Sequence, residues 1–491
     1  MTSPIALGVD LGTQQLKVLA VDVAQAKVLG SCQAPLCNFT PETGALEQNP
    51  LDWWPLLCEL THRLVADLPL DIRAVCGIGL SGHMHSIVPL DRTGAPVHNC
   101  IVWADTRAEK QAKHVGAQAT GERWNPAIAA YSLPKVLWVK ESQPEIFARV
   151  RRIVFSKDYL RYLMTGTQST DYSDASGSLA WDFASRQWDK DLLSSVEVSA
   201  DLFPDVTNAT EAGGTLTASA AEMLGLRPGI PVAIGGGDVA CAVTGSGISE
   251  PNTLLINAGT AAQIILLQAA PRVYEKGQGV RYQFELGFDA KTFVMGALPS
   301  AGFSLEWWRN HLGRTVTYAD LDDLAQEHIA FPENPIFLPF LQGTGTPYLI
   351  DKPLGSFLSL SGSTNTKMMT CAVMEGVAYG IRQSAEALFP AQSLHDYQVL
   401  ITGGVSKSPT MRNILVHVLG QTVSFKDFTD VSAIGAASFG ASAGHQIESV
   451  PEFLARFPFD SQETHPDPAL TSRYEALYAR FKSLSQSIEM S

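Results

Sequence analysis

The fold is decided at residues 5–22, where the sequence reads IALGVDLGTQQLKVLAVD. Two short apolar runs flank a Gly-Thr pair, which predicts a β-hairpin with Gly12 and Thr13 at its bend. A glycine at a bend lets backbone N–H groups approach a phosphate, because no Cβ blocks the way. Asp10, at the end of the first strand, offers the hard oxygen atoms that Mg²⁺ prefers. Taken alone, an ordinary hairpin with a capping aspartate is the simpler interpretation.

The same pattern returns at residues 254–267, LLINAGTAAQIILL, where Gly259 and Thr260 occupy the predicted bend. The second hairpin begins about half a chain length after the first, which suggests two domains of one architecture. Glycines and a proline at residues 245–251 indicate the boundary between them. We therefore expect three segments: an N-terminal domain at 1–246, a C-terminal domain at 247–445 and a tail at 446–491.

Short apolar runs predict further strands at residues 75–80, 101–103, 153–155 and 231–234. Helical spacing of apolar residues marks 50–68 and 105–115, and strands alternating with helices indicate an α/β architecture. Residues 451–468 are rich in proline and aspartate, which is typical of a linking loop. After that segment, apolar residues at three- and four-residue spacing predict a terminal amphipathic helix that docks on the body.

The composition narrows the class of protein. Of the 491 residues, 45% are hydrophobic and 17% are charged, which is ordinary for a globular chain. The net charge of −14 argues against a nucleic-acid partner or an anionic membrane surface. Seven scattered cysteines without a C-x-x-C pair predict reduced thiols. No targeting segment or long apolar run is evident, so we expect a cytoplasmic protein that does not enter a membrane.

Two glycine-rich junctions are candidates for chemistry. In IGGGD, residues 234–238, three glycines are entropically costly unless the backbone bends sharply or touches a ligand. Asp238 at such a junction is either a helix N-cap or a general base, and the glycines favour a functional role. Gly403 and Gly404 join a predicted strand to a predicted helix, as in nucleotide-binding loops, although a plain turn explains that pattern equally simply.

Candidates for sugar recognition follow two other predicted strands. Met84 and His85 come directly after one strand, and the neighbouring histidines lack a third ligand at metal-binding spacing. Trp103 and Asp105 follow the next strand. An aromatic face stacks on sugar C–H groups, and a carboxylate accepts hydrogen bonds from hydroxyls. Core packing of Trp103 is an almost equally favoured interpretation.

The order of these motifs along nearly the whole chain resembles that of the FGGY carbohydrate kinases, members of the actin/Hsp70/sugar-kinase superfamily. The segment SLPKVLWV at residues 132–139 resembles the first signature of that family. The segments KDYL at 157–160 and DYSDASG at 171–177 resemble the xylulokinase branch in particular.

This resemblance implies two ribonuclease-H-like α/β domains around a central cleft, and ATP-dependent phosphorylation of a sugar hydroxyl. It favours conversion of D-xylulose to D-xylulose 5-phosphate. It also implies the following roles: Asp238 as general base; Asp10 as organiser of Mg²⁺ and phosphate; Gly12, Thr13, Gly259 and Thr260 as phosphate hairpins; Gly403 and Gly404 as the adenosine-side loop; Met84, His85, Trp103 and Asp238 as the sugar site.

Some positions depart from the family pattern. Thr344 stands in place of an acidic residue, Ser359 in place of a glycine and Val405 in place of a third glycine. The motifs around Met84 and Trp103 also resemble gluconokinases, so gluconate or another polyol is the alternative substrate. A non-catalytic sugar sensor or an ATPase on the same scaffold is the alternative of another class. A homodimer is the default expectation for the assembly.

Overall fold

Two seven-stranded sheets, one in each half of the chain, form the framework of the computed structural model. The structure describes residues 3–68, 71–118, 125–271, 280–313, 315–350, 352–389 and 393–489. Within these ranges, no helix combines the length and the apolar character needed to cross a bilayer.

The strands of the first half are β1 (Ile5–Leu11), β2 (Gln15–Asp22), β3 (Lys27–Pro35), β4 (Glu47–Gln48), β5 (Val75–Gly82), β6 (Ile87–Leu90), β7 (Cys100–Ile101), β8 (Arg152–Phe155), β9 (Ser169–Asp171), β10 (Trp181–Asp182), β11 (Gln187–Trp188), β12 (Asp205–Thr207), β13 (Ala212–Thr215), β14 (Pro231–Ala233) and β15 (Gly236–Gly237). The strands of the second half are β16 (Thr253–Ala258), β17 (Ala262–Gln268), β18 (Tyr282–Glu285), β19 (Thr292–Leu298), β20 (Ile336–Leu338), β21 (Ser356–Leu358), β22 (Gln398–Thr402), β23 (Val423–Lys426) and β24 (Ser461–Thr464).

The α-helices are α1 (Trp53–Asp67), α2 (Glu109–Gln118), α3 (Ser132–Ser142), α4 (Pro144–Phe147), α5 (Ser156–Thr165), α6 (Tyr172–Ser176), α7 (Lys190–Ser195), α8 (Ala218–Leu224), α9 (Asp238–Gly245), α10 (Gly302–Leu312), α11 (Tyr318–Gln326), α12 (Thr366–Leu388), α13 (Pro409–Leu419), α14 (Val431–Ala443), α15 (Val450–Leu454) and α16 (Pro468–Glu489).

The two sheets share one strand order. The first contains β3-β2-β1-β5-β14 and the second contains β19-β17-β16-β22-β23, and in both the first three strands are antiparallel and the last two are parallel. Each central hairpin closes with a glycine N–H, from Gly12 to the Gln15 carbonyl and from Gly259 to the Ala261 carbonyl, both at 3.0 Å. The predicted α/β architecture with two similar domains is therefore confirmed, while the exact domain limits stay a prediction.

Helix α14 comes from the second half of the chain but packs against the first sheet. A Cβ on Gly8 of β1 would lie 2.0 Å from the Ala433 carbonyl oxygen, and one on Gly79 of β5 would lie 1.7 Å from that of Ala436. Neither strand could carry a side chain there, so the glycines bring the helix backbone into direct contact with the sheet.

Most predicted elements are present, with shifted ends. The helix expected at 105–115 begins at Glu109, and the terminal helix α16 buries Tyr474, Tyr478 and Phe481, as its spacing predicted. The linking loop expected at 451–468 is wrong in part, because that segment contains most of α15 and all of β24, which pairs with β23. Its sequence Ser-Gln-Glu-Thr at an exposed sheet edge has no apolar alternation from which a strand could be predicted.

Candidate active site

Three neighbouring parallel strands of the first sheet bring the two predicted catalytic acids to one edge. Strand β5 lies between β1 and β15, and Ser81 is paired with Asp10 on one side and with Gly236 on the other. Because the carboxyl ends of parallel strands meet at the same edge, Asp10 and Asp238 come together there. The charge of Asp10 acts on the Asp238 carboxyl, which is further evidence of their proximity.

Asp238 is the first residue of α9, and the residue in the N-cap position is Gly237. The Asp238 Oδ1 atom accepts hydrogen bonds from the backbone N–H groups of Val239, at 2.9 Å, and of Met84, at 3.4 Å. Burial, helped by the negative charge of Asp10, raises the pKa of Asp238 to about 7. A partly exposed carboxyl with a pKa near neutrality is suited to accepting a proton, and it is not the helix cap.

Asp10 lies among groups of both charges. Ser81 Oγ donates a hydrogen bond of 2.7 Å to Asp10 Oδ1, and Lys17 Nζ forms an ion pair with Asp430. Burial raises the pKa of Asp10, and the negative charge of Asp430 raises it further. The hydrogen bond from Ser81 and the positive charge of Lys17 lower this pKa in part. Asp430 immediately precedes α14 and has a left-handed backbone with φ of 58°. Lys17 lies opposite Asp10 in the first hairpin, so the predicted hairpin could have indicated it, whereas no sequence pattern marked Ser81 or Asp430.

Met84 and His85 lie at the end of β5 beside Asp238. His85 has a left-handed backbone, with φ of 66°, and its Nδ1–H donates to the Gly177 carbonyl at 2.6 Å. Its ring lies 4.7 Å from the ring of Tyr131, and burial lowers the pKa of His85 to about 3. The imidazole is therefore neutral at physiological pH, which suits hydrogen bonding to a neutral polyol.

Trp103 connects this region to the first hairpin. Its ring is 45% exposed, and its Nε1–H donates to Thr13 Oγ1 at 2.9 Å. Asp105 is placed differently, because its side chain is 1% exposed and its Oδ2 accepts hydrogen bonds from Arg107 and from the Leu46 amide. The structure brings Trp103 to the first Gly-Thr hairpin, whereas the Asp105 carboxylate is engaged by a local ion pair with Arg107.

In the second half, Gly259 and Thr260 line a cavity of about 700 Å³ together with Gly404 and Val405. Its other walls come from Gly302, Leu305, Glu306, Tyr318, Ala319, Asp322, Lys407, Ser408 and Pro409. The N-terminus of α10 meets the hairpin, because the Gly302 N–H donates to the Gly259 carbonyl at 2.9 Å. The Phe303 N–H likewise donates to the Thr260 carbonyl at 3.0 Å, so the first two N–H groups of α10 hold the hairpin in place beside the cavity.

The position of Gly403 requires glycine, because its φ is 95° and a Cβ would lie 2.6 Å from the Ala258 carbonyl oxygen. Of the three departures, Val405 is buried and lines the cavity, and Ser359 has φ of 64°, the left-handed region that favours glycine. Thr344 makes local hydrogen bonds with Ile350 through its N–H and its hydroxyl, both at 2.8 Å.

Comparisons with known proteins find similarity over nearly the full length of the chain. The model of the FGGY family of carbohydrate kinases, N-terminal domain, matches residues 5–245, and that of the C-terminal domain matches residues 254–444. A xylulose kinase from Lactococcus lactis subsp. lactis (strain IL1403) is 28% identical over 488 residues, which cover 97% of this chain and 96% of that relative.

Two solved structures give the same result for the fold. The crystal structure of a xyloylose kinase from Brucella ovis has a TM-score of 0.90 at 30% identity and covers 99% of both chains. The crystal structure of a gluconate kinase from Lactobacillus acidophilus has a TM-score of 0.91 at 20% identity and covers 100% of this chain and 99% of that one. The fold is therefore common to kinases of different sugars, and it does not by itself identify the acceptor.

Proposed function

The chain belongs to the FGGY family of carbohydrate kinases, and on this premise we propose that it transfers the γ-phosphoryl group of ATP to the 5-hydroxyl of D-xylulose. As a member of the family it is a sugar kinase that uses ATP as its phosphate donor. The xylulose kinases among its full-length relatives support D-xylulose as the acceptor.

The observation that carries the proposal is the position of the Asp238 carboxylate, beside the Met84 amide and close to Asp10. Phosphoryl transfer needs positioning and charge neutralisation more than covalent assistance. Asp238 would orient the sugar hydroxyl and accept its proton at Oδ2 or Oδ1 late in the transfer. A pKa of about 7 keeps this carboxyl deprotonated in a substantial fraction of molecules at neutral pH.

The remaining site residues would share the work of binding. Gly259 and Thr260 would hold the triphosphate from the second sheet, and the cavity beyond them would take the nucleoside. Gly12 and Thr13 would meet the same phosphates from the first sheet. Trp103, bonded to Thr13, would link the sugar side to this hairpin. The arrangement would exclude water from the transfer and favour the sugar hydroxyl as acceptor.

We also propose that Mg²⁺ accompanies ATP beside Asp10. Among the described residues there is no group of three or more His, Cys, Asp or Glu side chains able to hold a metal ion. This fits Mg²⁺, which keeps several waters and is usually held by one or two carboxylates and by substrate phosphates. Asp10 offers such a carboxylate, and when bound the ion would neutralise phosphate charge. The homodimer and the cytoplasmic location stay predictions from the sequence.

The test is an ADP-release assay with a panel of acceptors: D-xylulose, D-ribulose, gluconate, glycerol and other polyols. We expect D-xylulose to give the highest kcat/KM and the product to carry its phosphate on the 5-oxygen, as read by NMR. An Asp238→Asn variant should lose the sugar-dependent rate by a factor of about 10² to 10⁴. Asp191→Asn, an exposed acid on α7, is the control and should keep full activity. A higher kcat/KM for gluconate would show that gluconate, and not D-xylulose, is the acceptor. An active Asp238→Asn variant would show that Asp238 is not the general base.

A further inference from the structure

A fully buried ionic cluster lies behind the Asp238 junction. Lys157 Nζ, on α5, lies 2.7 Å from Asp158 Oδ1, 3.0 Å from Asp171 Oδ1 and 3.0 Å from Asp174 Oδ2, and none of the four side chains is more than 1% exposed. Burying charged groups is costly, and apolar residues in their place are often as stable or more so. The cluster is therefore weak evidence of a purely stabilising role, and its hydrogen bonds towards the Asp238 junction are the relevant observation.

Those connections run through Asp171 and Ser173 to the backbone beside Asp238. Asp171 Oδ2 accepts a hydrogen bond of 2.7 Å from the Ser173 N–H and another from the Ser173 hydroxyl. Ser173 Oγ in turn accepts a hydrogen bond of 2.9 Å from the N–H of Gly237. An unbroken series of contacts thus joins Lys157 to the residue that directly precedes Asp238.

The backbone at Gly237 is held from both sides. On one side Gly237 is paired with Gly82 of β5, and a Cβ on Gly237 would lie 2.3 Å from Met84 Cγ. On the other side the Ser173 hydroxyl is the acceptor of its N–H. Since Gly237 is the N-cap residue of α9, its position sets where the Asp238 side chain begins. A misplacement of about 1 Å at a reacting group can cost a factor of about 10² in rate.

We propose that Ser173, with the Lys157–Asp171 ion pair behind it, is a positioning residue that fixes the Gly237 backbone so that the Asp238 carboxylate meets the sugar hydroxyl. Ser173 acts through Asp238 and does not touch the substrate. The inference rests on the role proposed above for Asp238, and it assigns a function to part of the DYSDASG segment.

The test compares Ser173→Ala with Ser246→Ala. Ser246 is also a buried serine, at the other end of α9, and its hydroxyl donates to the Val243 carbonyl at 2.6 Å. In Ser173→Ala we expect kcat to fall at least tenfold while the KM for ATP stays within twofold. The KM for ATP should hold because the Ser173 hydroxyl is bonded to Asp171 and to Gly237, and neither of them is among the residues proposed to hold ATP. Ser246→Ala should leave both constants within twofold of the parent enzyme.

A second variant keeps the inference testable if Ser173→Ala does not fold. Ser173→Cys preserves most of the volume but accepts hydrogen bonds weakly, so kcat should again fall with an unchanged KM for ATP. A kcat within twofold of the parent in the folded variant would overturn the inference, as would a parallel loss in Ser246→Ala. Asp238→Asn separates the two claims: if it is inactive and Ser173→Ala is normal, the positioning role alone fails. If Asp238→Asn is active, the role of Asp238 fails.

Discussion

Replacing Asp238 by asparagine should stabilise the protein at pH 8 while it lowers the rate of sugar phosphorylation by a factor of about 10² to 10⁴. The asparagine side-chain oxygen can accept the same hydrogen bonds, from Val239 and Met84, but the side chain cannot ionise. In the parent protein, burial and the charge of Asp10 raise the pKa of Asp238 from 3.8 to about 7. The ionised carboxylate that the role proposed for Asp238 requires is therefore held in the folded state at a cost in stability.

The size and sign of the effect follow from this pKa. Between pH 4 and pH 7 the unfolded chain has lost the Asp238 proton while the folded protein keeps it. The free energy of unfolding of the parent therefore falls relative to the variant as the pH rises through this window, and the difference is constant above pH 7. The full shift corresponds to about 4 kcal/mol. The side chain is partly exposed and an amide also prefers water, so we expect about 2 kcal/mol at pH 8.

The assay is urea unfolding of both proteins at pH 4.5 and pH 8, followed by fluorescence and by circular dichroism. Asp191→Asn, in which an exposed carboxylate is neutralised, should show no comparable pH-dependent difference. The reasoning that burial and Asp10 raise this pKa would be refuted if the free energy of unfolding of Asp238→Asn exceeded that of the parent by the same amount at both pH values. It would also be refuted if the two proteins were equally stable at both.

Two other predictions concern the hairpins and the nucleotide loop. Gly403→Ala should destabilise the protein by at least about 1 to 2 kcal/mol and raise the KM for ATP, because of its positive φ and the close Ala258 carbonyl. Gly404→Ala should keep the parental unfolding midpoint, since nothing lies within 4 Å of its Cβ position; equal midpoints for the two variants would contradict the geometry. Trp103→Phe keeps the aromatic face but loses the bond to Thr13, so the KM for the sugar should rise about two- to tenfold. An unchanged KM in a steady-state titration would show that this bond does not support sugar binding.

The parts of the fold and site that could be predicted are those encoded by local sequence. Both Gly-Thr hairpins were predictable because apolar runs flank a glycine, a residue type that is common in tight bends. The backbone at Gly235 explains the first glycine before Asp238, because its φ is 80° and a Cβ would lie 2.3 Å from the Leu80 carbonyl oxygen. The glycine run before Asp238 therefore correctly indicated a close approach between two backbone segments, and a single sequence was enough to predict it.

The parts that could not be predicted depend on pairing between distant segments. Ser81 meets Asp10 through the register of β1 against β5, and Asp430 meets Lys17 across more than 400 residues of chain. Neither relation leaves a local periodicity. Asp105 was predicted to contact the sugar, but its carboxylate pairs with Arg107. An acid and an arginine two residues apart can form such a local ion pair or can both bind a sugar. Sequence order alone does not distinguish these outcomes.

The placement of α14 has a consequence for the order in which the protein can be made. On the ribosome, β1 and β5 emerge before the helix that covers their glycine-lined face, because α14 begins 349 residues after the end of β5 (431 − 82). The first sheet must therefore stay incompletely covered until α14 has also been synthesised. A fragment that stops at the predicted domain boundary would expose that face to solvent and to other nascent chains. It would need α14 supplied as a separate peptide to bury this surface in the same way.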